Sequence, residues 1–478
     1  METLLSCLRN NEKAVLKALC AASLDNMDIC MLIASRELPY IVALQKSQDP
    51  EIQLSAVNLV ANLYQQACIP ATYRRRLLDT SIPILVRLFE MGDAPMVLSK
   101  LISQGEDLQK AAFASGVIDK LNILLSNSLG SANRYESALN LTATLSLTLD
   151  THRKAVISAG LIPHIIASFQ HPNAKVRAAA AFATRSLSRS VCILRTSLVD
   201  AGIAGPLFKL LNDSDESVQV QATAAVCNMV LEFSPMKKII MDQGILPVLG
   251  KHALSMNPEL RTNACWAIKH LVYNAEIDTK KMVVEAMDLD FLLRLCNDGI
   301  PNVEEQALEI IRNIASGGSL SVELILRSEQ DCRNIFSLLL RKLASNTNQL
   351  ISPAIYVIVH IAAGNTAQQQ FLFQHDNILI KSLLRFLSSL DKDIRLGVVW
   401  TIINLTHSEE NTDYMESARS ARTLNEFGFL SKLLKMKEDR VMDIRERVKN
   451  AITQFSIQGI AENHAIEIDE NMENEEFA

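Results

Sequence analysis

The chain has 478 residues and a net charge of −6, with 47 Lys and Arg against 53 Asp and Glu. This length exceeds one ordinary hydrophobic core, so several domains or a repeat array are expected. Hydrophobic residues make up 49% of the chain, whereas aromatic residues make up only 5%, a balance that favours helices over sheets. The acidic net charge is not that of a nucleic-acid-binding protein.

Neither a signal peptide nor a membrane span is expected. The first residues lack a basic stretch followed by an apolar one, and no apolar run approaches the ~18 residues that a spanning helix requires. The nine cysteines are scattered without a CxxC pair, which is typical of reduced thiols in a cytosolic or nuclear protein. We therefore predict a location in the cytoplasm and the nucleus.

Residues 1–35 come first and are interpreted as an incomplete helical repeat that caps the array after it. Residues 36–460 then carry a recurrent hinge, in which a glycine follows one helix and precedes a short apolar helix. The hinge glycines are Gly116, Gly160, Gly202, Gly244 and Gly428. The first four are spaced by 44, 42 and 42 residues. A glycine at a helix end permits the left-handed conformation that terminates the helix.

Each hinge is followed by a short apolar helix, a polar turn and a longer helix. Three helices in about 42 residues is the period of armadillo repeats. Such repeats cannot bury their apolar faces alone and therefore stack. The predicted fold is an all-α, right-handed superhelical solenoid of about ten armadillo repeats, in which the long third helices line a concave groove.

The segment 260–274 shows how a long helix divides its faces. With 3.6 residues per turn, its apolar residues share one side and are predicted to be buried: Leu260, Ala264, Ala267, Ile268 and Leu271. Its large side chains with polar groups share a second side: Trp266, His270 and Tyr273. We interpret this second side as part of the groove, with core packing of the tryptophan as the alternative.

Aligning the long helices places one polar residue of each in a common column: Asn62, Gln104, Thr144, Ser186, Asn228, His270, Asn313, His360, Asn404 and Gln454. Because an Asn side chain offers both a donor and an acceptor, the four column asparagines are predicted to pair with the backbone of an extended peptide: Asn62, Asn228, Asn313 and Asn404. The alternative is that each Asn caps or bridges neighbouring helices. Trp400, four residues before Asn404, makes the closest match to a peptide-clamping pattern.

Positive residues directly precede the column in three repeats, at Arg185, Lys269 and Arg312. A neutral-to-basic groove would suit an acidic or carboxylate-ended segment, and solvated surface charge is the alternative. Residues 461–478 contain seven acidic residues and no Lys or Arg, which leaves about +1 for the rest of the chain. This final segment is predicted to be a disordered acidic tail.

Catalytic motifs are missing from the sequence. It contains no phosphate-binding loop, dinucleotide fingerprint, nucleophile elbow or zinc-protease helix motif. Asp213 and Asp215 resemble the start of a calcium loop but lack its Gly and its terminal Glu, so a capping turn is predicted there. We predict a protein that is not an enzyme, with no cofactor or metal.

Particular runs resemble one family, the armadillo subunit of the GID/CTLH ubiquitin ligase. They are RSLSRSV at 185–191, LRTS at 194–197, CNM at 227–229 and LEFSP at 231–235. The similarity covers roughly residues 154–455, and the chain is shorter than fuller members of the family.

The resemblance implies a non-catalytic scaffold that holds the C-terminal tail of a substrate receptor in its groove. It also implies docking on the LisH/CTLH-containing core subunits, which connect to the RING pair, for proteasomal degradation of substrates. The groove residues that carry over are Trp266, Lys269, His270, Tyr273, Arg312, Asn313, Trp400 and Asn404; no nucleic acid or membrane partner is implied. The alternatives are an importin-α-like adaptor, which would need adjacent Trp and Asn repeats and an acidic groove, and a catenin-like adaptor, which would need a broadly basic one.

Overall fold

The computed structural model describes residues 2–126, 131–407 and 414–460. Every regular element in these ranges is a helix, as the composition predicts. The acidic segment 461–478 lies outside the described residues. The chain forms two compact units, unit 1 (Met1–Gln243) and unit 2 (Gly244–Ala478). The boundary predicted between residues 35 and 36 falls inside a helix, α3, and the remaining domain division stays a prediction.

Unit 1 is built from seventeen described helices. They are α1 (Glu2–Cys7), α2 (Glu12–Ala22), α3 (Met27–Leu44), α4 (Pro50–Gln65), α5 (Ala71–Arg87), α6 (Ala94–Ile102), α7 (Glu106–Ala114), α8 (Val117–Ser126), α9 (Ala132–Leu145), α10 (Asp150–Ser158), α11 (Ile162–Ser168), α12 (Ala174–Leu187), α13 (Val191–Arg195), α14 (Ser197–Asp200), α15 (Ala204–Leu210), α16 (Glu216–Met229) and α17 (Met236–Asp242). The long helices α4, α6, α9, α12 and α16 pack against one another in chain order.

Unit 2 continues the same pattern. Its elements are α18 (Ile245–His252), α19 (Pro258–Val272), α20 (Ile277–Met287), α21 (Leu289–Leu295), α22 (Pro301–Ala315), α23 (Ser319–Glu323), α24 (Glu329–Leu343), α25 (Asn348–Ala362), α26 (Thr366–Leu372), α27 (Gln374–Leu383), the 3-10 helix η1 (Leu384–Ser388), α28 (Lys392–Thr406), α29 (Tyr414–Glu426), α30 (Phe429–Lys435) and α31 (Met442–Ile457). The long helices α19, α22, α25, α28 and α31 pack in chain order.

The hinges behave as their spacing predicts. The five hinge glycines have φ between +65° and +89°, a region that glycine enters without steric cost. The first two repeats differ, because α3 and α5 each run through the place where a hinge would divide two helices. Neither helix contains a glycine, so nothing ends the helix there. The predicted three-helix repeat is thus replaced by two helices in this part of unit 1.

Polar turns between the short and long helices provide the N-caps of the long helices. The side chains of Asn173, Asp215, Asn257 and Asp391 each accept a hydrogen bond from the first turn of the helix that follows. Such a cap satisfies an amide that the helix itself cannot pair. The capping role predicted for the turn around Asp215 is confirmed.

The column predicted along the long helices is correct in most repeats but wrong at Gln104. Helix α6 has nine residues and ends at Ile102, so Gln104 lies beyond it. Lys100, one turn earlier, makes the contact with the preceding repeat, because its Nζ donates to Oδ1 of Asn62 at 2.7 Å. The short helix shifts the register by about one turn.

Within the described residues, no single helix combines the length and apolar composition of a bilayer span. Two segments, Val191–Asp200 (α13 and α14) and Ala204–Leu210 (α15), meet that test only when taken together, across a bend of 94°. Leu198 and Leu207 of this pair are fully buried in unit 1.

Candidate functional site

All but one of the predicted groove residues lie on the long helices of unit 2. Trp266, Lys269 and His270 belong to α19, with Tyr273 at its C-terminal cap. Arg312 and Asn313 belong to α22, and Trp400 and Asn404 belong to α28. Helix α25 packs between α22 and α28, and α31 packs beyond α28. With α25 and α31 included, the long helices of unit 2 form one continuous series. Asn228 lies on α16 of unit 1.

Helix α19 divides its faces as predicted. Leu260 is 1% exposed, and the other four residues of its apolar stripe are fully buried. Trp266 and Tyr273 are instead 41% and 49% exposed. The indole Nε1 of Trp266 donates to Nε2 of His270 at 3.0 Å, and Nζ of Lys269 lies 5.1 Å from the centre of the indole ring.

A second aromatic–cation pair joins α22 to α25. The guanidinium carbon of Arg312 lies 4.8 Å from the centre of the Tyr356 ring. Nη1 of Arg312 also donates to Glu309, at 2.8 Å to Oε2. Tyr356 is half-buried, and burial raises the pKa of its phenol. Tyr356 lies four residues before the column, at the position that Trp266 and Trp400 occupy in their repeats.

The third pair joins α28 to α31. The guanidinium carbon of Arg447 lies 4.6 Å from the centre of the half-buried Trp400 ring, and its Nε lies 3.6 Å from Oδ1 of Asp443. Gly397, one turn before Trp400, lets α28 approach α25 closely. A Cβ at this position would lie 2.7 Å from Cγ2 of Ile355, so a side chain there would force the helices apart.

These pairs define the aromatic–cation strip: Trp266, Lys269, Arg312, Tyr356, Trp400 and Arg447. A cation over a ring face is attracted to the negative charge of the π system. Here each ring already has a cation of the same chain above it, so a cationic ligand would have to displace that cation. The strip therefore favours a ligand with carboxylates, which can accept N–H bonds from the lysine and the two arginines.

The column asparagines bridge adjacent repeats. Nδ2 of Asn228 donates to the carbonyl of Arg185 at 3.2 Å, and Nδ2 of Asn313 donates to the carbonyl of Lys269 at 3.3 Å. Asn404 makes the equivalent bond two repeats after Asn313, to the carbonyl of Val359. The NH2 groups of these asparagines therefore bridge neighbouring helices, which was the alternative to peptide binding. A contact with a peptide stays a prediction. It would be made by the side-chain oxygen Oδ1, which is least accessible in Asn313, because this residue is only 5% exposed.

Buried ion pairs tie the turns of successive repeats together. They are Arg177 with Asp213, Arg261 with Asp298, and Arg395 with Asp439, at 2.7, 2.8 and 2.9 Å. Each arginine also donates to backbone carbonyls of the turn before its own helix. These pairs follow a sequence pattern that was not predicted above: each arginine lies nine residues before the column, and each acid lies in the next polar turn.

His360 occupies the column position on α25. Burial, together with the nearby charges of Arg312 and Lys280, lowers the pKa of His360 to about 4. Its ring is therefore neutral at physiological pH. Lys280 is 3% exposed and donates to the carbonyl of Ser316, and burial lowers the pKa of its ammonium group.

The chemistry of the strip is recognition. It presents the exposed ring of Trp266, the half-buried rings of Tyr356 and Trp400, N–H donors and positive charge on the packed long helices. Among the described residues, no three metal-ligating side chains come together.

The chain is similar in sequence to known proteins. The VID28/GID5 C-terminal domain matches residues 250–337, which include Trp266 and Arg312. A protein of Schizosaccharomyces pombe named GID complex subunit 5 is 28% identical over 87% of this chain and 63% of its own length. A protein of Danio rerio named Armadillo repeat-containing protein 8 is 26% identical over 87% of this chain and 64% of its own length. The chain thus spans less than two thirds of the length of these relatives.

The fold is also found in a solved structure. The crystal structure of an engineered protein superposes with a TM-score of 0.68 at 21% identity, covering 88% of this chain and 99% of the other. This likeness concerns the fold alone. The chain has the armadillo-repeat fold, and it is homologous over most of its length to proteins named GID complex subunit 5 and Armadillo repeat-containing protein 8.

Proposed function

We propose that this chain is the armadillo subunit of a GID/CTLH-type ubiquitin ligase and acts there as a non-catalytic scaffold. Homology across 87% of the chain to a protein named GID complex subunit 5 carries the proposal. A stack of helical repeats offers a long binding surface rather than an enclosed reaction site, which supports the scaffold role.

The aromatic–cation strip is the proposed site for the C-terminal tail of the substrate receptor. Packed helices lie about 8–10 Å apart, which is about three residues of an extended peptide. A tail that crosses α19, α22, α25, α28 and α31 would therefore meet a new helix at about every third residue. The exposed Trp266 and the half-buried Trp400 would anchor it, because tryptophan side chains dominate the energetics of many such interfaces.

Carboxylates are the proposed chemistry of that tail. Lys269, Arg312 and Arg447 present N–H donors at three places along the strip, and the same cations already cover the three rings. An importin-α-like adaptor for cationic peptides would instead need uncovered rings. The strip therefore supports a scaffold for an acidic or carboxylate-ended segment over an adaptor for a basic one.

Affinity purification of the tagged full chain from cells tests the assembly. We expect LisH/CTLH subunits, RING subunits and a substrate receptor to co-purify, and their repeated absence would refute the proposal. Trp266→Ala and Trp400→Ala should reduce recovery of the receptor while the core subunits remain. Met256→Ala provides the matched control, because this side chain is 92% exposed and lies outside the strip.

The proposed complex would direct substrates to the proteasome from the cytoplasm and the nucleus. Fractionation of cells that express the tagged chain tests this location. Recovery only in a membrane fraction would contradict it.

A further inference from the structure

Two cations of the strip, Arg312 and Arg447, each have an acidic neighbour on their own helix. Arg312 pairs with Glu309 on the preceding turn of α22, and Arg447 pairs with Asp443 on the preceding turn of α31. The side chains of Arg447 and Asp443 are 40% and 58% exposed. An exposed pair of this kind is screened by water and stabilises a protein by about 0–1 kcal/mol. The Arg312–Glu309 pair is more enclosed, with side chains 33% and 21% exposed, but leaves Arg312 partly accessible. A carboxylate of another segment can therefore share the arginine N–H groups at little cost.

The chain itself contains a segment of matching charge. Residues 461–478 hold seven carboxylates and no Lys or Arg. They directly follow α31, the helix that carries Arg447. Eighteen residues span up to about 60 Å when extended, whereas four steps between packed helices amount to about 40 Å. The segment can thus reach from α31 across the strip to Lys269 on α19.

We infer that the acidic segment 461–478 binds the aromatic–cation strip of its own chain, with carboxylates at Lys269, Arg312 and Arg447. Tethering favours this contact, because a short linker raises the effective concentration of a segment to the millimolar range. Glu309 and Asp443 oppose it, but seven carboxylates compete there with two. Under the proposed function, the segment would compete with the receptor tail; the contact itself does not depend on that function.

Zero-length carbodiimide coupling tests the contact directly, because this reagent joins an amine to a carboxylate only when the two touch. In the dilute full-length protein, we expect Lys269 to couple to residues 462–476, and we expect 1 M salt to abolish the coupling. Lys381 is the matched control, because it lies on α27, outside the strip. Its Nζ is likewise close to an aromatic ring, 4.9 Å from the centre of the Phe427 ring. No coupling at Lys269, or equal coupling at Lys381, would overturn the inference.

A binding experiment gives an independent measurement. The probe is a labelled peptide of residues 461–478, and the protein is the full chain with its acidic segment neutralised. The seven substitutions are Glu462→Gln, Glu467→Gln, Asp469→Asn, Glu470→Gln, Glu473→Gln, Glu475→Gln and Glu476→Gln. We expect the peptide to bind the neutralised chain at least about threefold more tightly than the unchanged chain, because the competing tethered segment is removed.

Two further variants locate the site of that binding. Adding Arg447→Gln to the neutralised chain should weaken peptide binding, whereas adding Arg294→Gln should not, because Arg294 lies over Phe291 on α21, outside the strip. Equal affinity of the peptide for the neutralised and unchanged chains would overturn the inference. Neither experiment contains a receptor, so failure of the proposed ligase role would leave both results intact.

Discussion

Nδ2 of Asn404 donates a hydrogen bond to the carbonyl oxygen of Val359, 3.1 Å away on the preceding long helix. The same carbonyl accepts the amide of Ala363 within α25, also at 3.1 Å. The oxygen thus keeps one partner when the side chain is removed. Because this bond joins two repeats of the folded chain, it contributes to the free energy of unfolding even when no ligand is bound.

Asn404→Ala should therefore lower the stability of unit 2 by about 0.5–1.5 kcal/mol, the net value of one replaceable hydrogen bond. Both tryptophans of the chain lie in unit 2, so urea unfolding followed by tryptophan fluorescence measures it. Asn404→Asp is the matched variant, because it keeps the shape but loses the donor. Unchanged stability together with weaker receptor binding would show that the side chain serves the ligand instead.

Trp266→Ala should weaken binding of the receptor by about 2 kcal/mol or more, the loss typical of an anchor residue. The ring is 41% exposed and rests on a helix whose other face forms the core, so folding should change little. Titration of the purified receptor into each variant provides the measurement. Equal affinity in a folded variant would remove Trp266 from the binding surface.

Asp439→Ala should destabilise unit 2 by about 3–5 kcal/mol, because Arg395 would remain buried without its partner. Their side chains are 6% and 9% exposed. Burial alone would raise the pKa of Asp439, but hydrogen bonds from Arg395 and from the Val441 amide outweigh it and hold this pKa below its usual value. The stabilisation is therefore present above the unfolded-state pKa and is lost as pH falls through the folded-state pKa.

Urea unfolding across acidic pH measures this effect, and the variant should lack that part of the pH dependence. Asp443→Asn is the control, because its pair with Arg447 is exposed and should contribute no more than about 1 kcal/mol. Similar losses in the two variants would contradict the distinction between buried and exposed pairs.

His360 should make unit 2 sensitive to acid. Its folded-state pKa of about 4 lies below the usual histidine value of 6.5, so the unfolded chain binds the proton more readily. The stabilisation is complete above about pH 6.5 and is lost as pH falls toward 4, by about 3 kcal/mol in all. His360→Gln should flatten this part of the stability profile relative to the unchanged chain, whereas His407→Gln, at an exposed position, should not. Parallel profiles for His360→Gln and the unchanged chain would refute this.

The features that local stereochemistry and period determine could be predicted from sequence. Gly160 and Gly244 adopt the left-handed conformation that their place after a helix requires. Trp266 and Tyr273 are exposed because they lie opposite the apolar stripe of their helix. In both cases the deciding interaction lies within a few residues of chain, where periodicity carries the information.

Features that depend on partners one repeat away were harder to predict. The cation above Trp400 comes from Arg447 on the next long helix, and no rule of spacing selects that residue among the charges of α31. The asparagine column could be located from sequence, but not which of its atoms stay available, because that depends on how closely the helices pack. The buried Arg–Asp pairs could have been found, since their arginines share one position relative to the column.

The asparagine bridges also have a direction. In each, the donor belongs to the later repeat and the carbonyl to the earlier one, as with Asn228 and Arg185 or Asn313 and Lys269. A ribosome releases the earlier repeat first, so its helix carbonyl is already in place when the asparagine emerges. Domains generally fold during synthesis from the N-terminus onward. Each new repeat could therefore pack on a preceding repeat that is already folded.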